Sequence, residues 1–114
     1  MIIETGEKVY VIFSKLFDSD FKRHFIGTVE KCEGNLVRAI GHLYSEETKM
    51  GHAGDIVKRA DMRVRIIPLD CESVIVNILP KTVNIEKITY KYDGLDCGVR
   101  VTDGSDWHLD LSHF

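Results

Sequence analysis

The sequence predicts a small all-β domain, either a barrel of bent strands or a compact sandwich, with seven to eight short antiparallel strands. Short runs of Val, Ile, Leu, Phe and Tyr recur along nearly all of the 114 residues. Turns that contain Gly, Asn or Asp separate these runs, and no long stretch has the three-and-four spacing of an amphipathic helix. The length indicates one domain over residues 1–114.

The clearest strand signals lie in the first half of the chain. The segment from Glu7 to Phe13 is apolar on both faces, which predicts a strand that is covered on two sides. The segments from Phe21 to Glu33 and from Leu36 to Tyr44 are predicted to form a hairpin around Gly34-Asn35. Glycine adopts positive φ freely and asparagine tolerates it, so this dipeptide suits a tight turn.

Two glycines, Gly27 and Gly41, lie inside the predicted hairpin strands. Glycine within a strand costs stability, and it often marks a bend, a bulge or a close approach of two backbones. Strong bending of central strands is what a small barrel requires.

Residues 45–61 break the strand pattern and are predicted to form a long irregular excursion. Gly51, His52 and Gly54 give it a flexible centre, and Asp55 is placed to cap a short helical turn that runs to Ala60. Long irregular segments in compact domains are more often functional than structural.

The strand pattern then returns. Strands are predicted from Met62 to Leu69 and from Ser73 to Leu79, and Pro68 and Pro80 end these two runs. The final strands are predicted from Val83 to Tyr92, from Cys97 to Thr102 and from Trp107 to Leu111. Asp-Gly turn signals separate these last three segments, which predicts a three-stranded meander.

Residues 7–44 resemble small SH3-like barrels and, among them, the Sm-like RNA-binding family. The resemblance is carried by Val9-Tyr10-Val11, Gly27-Thr28-Val29 and Asn35-Leu36-Val37. It implies a barrel geometry and assembly into a ring through edge strands. It also implies, as an alternative function, binding of single-stranded RNA.

Charge is distributed unevenly along a chain whose net charge is −3. A basic cluster comprises Lys58, Arg59, Arg63 and Arg65, and the last two would project from one strand face roughly 7 Å apart. Residues 93–114 contain five Asp and one Arg, a formal balance of −4. The basic cluster therefore suits RNA, an acidic partner or the acidic segment of a neighbouring subunit.

No catalytic motif, phosphate-binding loop or Cys-x-x-Cys motif is present in the sequence. His108, Asp110 and His113 form a thin, non-specific metal-ligand pattern. We therefore expect no cofactor and no catalytic residue, with a metal-dependent enzyme as the least favoured alternative.

The apolar strands exceed what a small monomeric core needs, which predicts a homo-oligomer. No apolar run approaches the ~20 residues of a membrane span, so no membrane partner is expected. Three widely spaced cysteines and the lack of a visible signal peptide are typical of a cytoplasmic protein with reduced thiols. The favoured function is a non-enzymatic assembly or binding module.

Overall fold

A computed structural model describes residues 2–13, 23–47, 55–70, 74–93 and 98–111. Most of these residues belong to β-strands, which confirms the all-β prediction. The chain divides into two compact units, Met1–Leu79 and Pro80–Phe114. In the part of the chain that the structure describes, no helix has the length and apolarity to cross a membrane.

The first unit is a five-stranded antiparallel sheet with the strand order β4-β3-β2-β1-β5. The strands are β1 (Lys8–Phe13), β2 (Arg23–Glu33), β3 (Leu36–Glu47), β4 (Asp55–Pro68) and β5 (Val74–Ile78). β1 has hydrogen-bonded neighbours on both sides. Its four residues from Val9 to Ile12 are at most 3% exposed, so the predicted covering of both faces is confirmed.

One face of this sheet contains the main hydrophobic core. The core cluster joins Val9 and Val11 of β1 to Phe25 and Val29 of β2, and it extends to Ile67 on β4. Val74 and Val76 of β5, at the other edge, pack against the same cluster. Because residues from both edge strands share one core, the sheet is curved. It is not closed, however, since β4 and β5 do not pair among the described residues, and in this respect it differs from the barrel alternative.

The predicted hairpin between β2 and β3 is present, and Gly34 occupies its turn with a φ of +58°. A bulge at Glu30 interrupts the pairing, because Val29 lies opposite Ala39 whereas Lys31 lies opposite Arg38. One extra residue in β2 reverses the face of every residue that follows. Cys32 consequently lies opposite Val37 and packs against the core cluster.

The prediction of an irregular excursion over residues 45–61 is wrong at both ends of that segment. Residues 45–47 continue β3, and residues 55–61 belong to β4 rather than to a capped helical turn. Pairing explains the difference, since Glu47 lies opposite Asp55 and the β3–β4 ladder runs on from there to Leu36 and Pro68. Such a long ladder overrides the weak local preference of a polar segment for a turn.

The second unit contains a 3₁₀ turn (Ile85–Lys87) and the strands β6 (Thr89–Asp93), β7 (Gly98–Thr102) and β8 (His108–Asp110). The three strands form an antiparallel sheet in the order β6-β7-β8, which confirms the predicted meander. Its first strand begins later than expected because the side chain of Asn84 accepts a hydrogen bond from the Glu86 amide at 3.0 Å. This cap starts the 3₁₀ turn, so the extended backbone resumes only at Thr89.

Asp103 organises the connection between β7 and β8. Its buried carboxylate accepts hydrogen bonds from the hydroxyl and the amide of Ser105, and it accepts a third from the amide of Asn84 at 2.9 Å. These hydrogen bonds, led by that of the Ser105 hydroxyl, lower the pKa of Asp103 to about 2. The carboxylate therefore ties the segment before the 3₁₀ turn to the turn that precedes β8.

Candidate functional site

β4 is an outer strand of the five-stranded sheet, and its length sets it apart from the other edges. It has 14 residues, whereas β5 at the opposite edge has five. One side of β4 pairs with β3, and the other side has no strand partner among the described residues. An unpaired strand edge presents backbone N–H and C=O groups that can accept another strand. We refer to residues 62–66, together with this open side, as the β4 edge.

The β4 edge exposes an apolar stripe. Met62, Val64 and Ile66 alternate along the strand, and their exposed fractions are 52%, 45% and 57%. Residues at this spacing point to the same face of a strand. Exposed large apolar residues are common singly, but three in a row on an open edge indicate an interaction surface.

The opposite face of the β4 edge is basic. Arg63 lies opposite Gly41 and Arg65 lies opposite Ala39, and both arginines are exposed. Neither forms an ion pair within the described residues. The neighbouring strand differs, because Nε of Arg38 lies 3.3 Å from Oε1 of Glu30. Arg63 and Arg65 are therefore available to bind an acidic partner.

The structure places the whole of the predicted basic cluster on β4. Lys58 and Arg59 belong to β4, so all four basic residues lie on one strand. Between the pairs His42–Met62 and Tyr44–Lys58, β4 contains two more residues than β3. Arg63 and Arg65 both lie beyond this irregularity and share one face of the strand.

The remaining predicted site residues lie in the second unit or outside the described residues. His108 and Asp110 lie in β8 in the second unit. His113 and the loop residues Gly51, His52 and Gly54 lie outside the described residues. In the described ranges, no group of three or more His, Cys, Asp or Glu residues could hold a metal ion.

A second polar feature lies inside the first unit. The hydroxyl of Tyr10 and Nδ1 of His24 are hydrogen bonded at 2.8 Å, and both residues are at most 1% exposed. Their rings meet edge to face with centroids 5.6 Å apart. A buried hydrogen bond between two strands fixes their register, so this pair has a structural role.

The apolar stripe is the feature that sequence reasoning missed. Alternation over residues 62–67 predicted two distinct faces, but an apolar face in an all-β chain is normally expected to be buried. The available signal was the pair of arginines between the apolar residues, because charged residues on a strand often mark an edge.

Comparisons with known proteins identify no relative. No protein-family model, no curated protein and no solved structure matches the chain.

Proposed function

We propose that this protein is a non-enzymatic assembly module that forms a homo-oligomer through the β4 edge. The observation that carries the proposal is the exposed stripe of Met62, Val64 and Ile66 on a strand with an open side. Covering it with another protein surface removes apolar area from water and satisfies the edge backbone groups.

The oligomer is tested by analytical ultracentrifugation of the purified full chain over a concentration series. The wild-type protein is expected to sediment as an oligomer, and Val64→Lys with Ile66→Lys is expected to shift it to the monomer. Both positions are exposed, so lysine is accommodated in the fold. Ile78→Lys is the matched control, because Ile78 is 44% exposed on the opposite edge strand. A wild-type monomer at all concentrations would contradict the proposal.

A second candidate function, binding of single-stranded RNA or another nucleic acid, is supported by Arg63 and Arg65. They are exposed, lie on one face and have no ion-pair partner among the described residues. Their spacing of roughly 7 Å is close to the separation of neighbouring phosphates along a strand. The resemblance of residues 7–44 to the Sm-like family points to the same ligand class.

Fluorescence anisotropy with a labelled oligouridine at low salt tests the second candidate. Binding is expected to weaken steeply as salt increases, and Arg63→Ala with Arg65→Ala is expected to reduce the salt slope by about 2. Arg38→Ala is the matched control, since Arg38 is already paired with Glu30. No binding to oligouridine or to a mixed-sequence DNA at low salt would eliminate this function.

A further inference from the structure

The surface that receives the β4 edge can be sought among the outer strands, because these have an open side. In the described sheets the outer strands are β4, β5, β6 and β8. β5 has no charged residue, and β6 has Lys91 beside Asp93. β8 contains Asp110 and begins two residues after the exposed Asp106, and the formal balance of residues 93–114 is −4. Among these strands, β8 therefore has the charge that complements Arg63 and Arg65.

The alternation of side chains also matches between β4 and β8. Arginine alternates with apolar residues over 62–66, and acidic or polar residues alternate with apolar residues over 106–111. Residues that lie opposite each other in paired strands point to the same face of the sheet. A register that aligns the two apolar faces therefore places the arginines on the same face as Asp106, His108 and Asp110. This holds for parallel and antiparallel pairing, because it depends only on the two-residue period.

We infer that β4 of one copy pairs with β8 of a second copy, so that the two edges form a continuous head-to-tail contact. The inference rests on the proposed function and names the receiving surface. A contact between two different edges is heterologous, and its repetition produces either a closed ring or an open chain. When Val64 and Ile66 face Trp107 and Leu109, Arg65 faces His108. Arg63 then faces Asp106 if the strands are parallel and Asp110 if they are antiparallel.

Reversing the charge of each edge distinguishes this contact from other modes of association. The first variant, Arg63→Glu with Arg65→Glu, makes β4 acidic. The second variant, Asp106→Lys with His108→Lys, makes the segment of residues 106–110 basic. All four residues are exposed, so the fold tolerates the changes. Asp70→Lys is the control for net charge, because Asp70 is an exposed acid after β4. Circular dichroism verifies that every variant retains its strands.

In analytical ultracentrifugation at low salt, each reversed variant alone is expected to sediment as a monomer, and the control as the wild-type oligomer. An equimolar mixture of the two variants is expected to recover the oligomer, because each acidic β4 edge then meets the introduced lysines and each unchanged β4 edge meets an unchanged β8. If the wild type assembles and the β8 variant assembles equally well alone, the head-to-tail contact is wrong while the proposed function stands. A mixture that stays monomeric also overturns the contact. A wild-type monomer overturns the proposed function itself.

Discussion

Gly27 of β2 and Gly41 of β3 lie directly opposite each other, and neither position has room for a side chain. A Cβ atom on Gly41 would collide with the carbonyl oxygen of Ile26 and would lie 2.5 Å from Cα of Gly27. A Cβ atom on Gly27 would collide with the carbonyl oxygen of Ile40 and would lie 2.8 Å from the Phe25 ring. The two strands thus approach closely, and Phe25 fills the space beside Gly27.

Gly41→Ala is expected to reduce the free energy of unfolding by about 1–3 kcal/mol or more, because backbone atoms have to move to admit the methyl group. Urea denaturation followed by circular dichroism measures the loss. Lys31→Ala, at an exposed position of the partner strand, serves as the control and is expected to stay within about 0.5 kcal/mol of the wild type. An unchanged midpoint for Gly41→Ala would show that the strands are farther apart.

Tyr10→Phe is expected to destabilise the first unit by about 1–3 kcal/mol, because it removes the hydroxyl that is hydrogen bonded to the buried imidazole of His24. A double-mutant cycle with His24→Phe isolates the pair. Chemical denaturation of the wild type, both single variants and the double variant is expected to yield a coupling energy of about 1 kcal/mol. Additive effects of the two substitutions would exclude the hydrogen bond.

Asp103 makes the stability of the second unit sensitive to acid. Its pKa is about 2 in the folded protein, below the ordinary value of 3.8. A carboxylate with a depressed pKa stabilises the fold fully above the unfolded value and loses this contribution as the pH falls toward the folded value. Stability is therefore expected to decline between about pH 4 and pH 2. The fluorescence of the only tryptophan, Trp107, reports the change.

Asp103→Asn is the matched variant for this experiment, because it is nearly isosteric and does not titrate. It is expected to be less stable than the wild type at pH 7 and to lose less stability between pH 4 and pH 2. Identical acid dependence in the two proteins would place the titrating group elsewhere.

Deletion of Glu30 tests the bulge in β2. The deletion aligns Val29 and Lys31 with consecutive residues of β3 and leaves Cys32 opposite Val37, so the core is preserved. The loss of the exposed contact with Arg38 costs at most about 1 kcal/mol. Deletion of Thr28 is the contrasting variant, because it moves core residues to the wrong face. Cooperative thermal unfolding is expected for the first variant only, and an unfolded Glu30 deletion would contradict the assigned register.

Much of the fold could be predicted from the local pattern. The alternation in β1, the turn at Gly34 and the meander of β6, β7 and β8 depend on neighbours in the sequence, so the residues alone indicate them. The bulge at Glu30 and the extension of β4 back to Asp55 depend on which strands pair, and one sequence does not show that. The exposed stripe at Val64 was missed for the same reason, since exposure follows from the position of β4 at an edge.

The position of β1 between β2 and β5 has a consequence for biosynthesis. Val9 pairs with Gly27 on one side and with Ile78 on the other, so β1 acquires its last neighbour only when nearly the whole first unit has been made. Contacts between residues so distant along the chain slow folding. Until β5 has been made, the side of β1 that pairs with it is open to incorrect pairing. In a ribosome-stalled fragment that ends before β5, we therefore expect one side of β1 to remain unpaired.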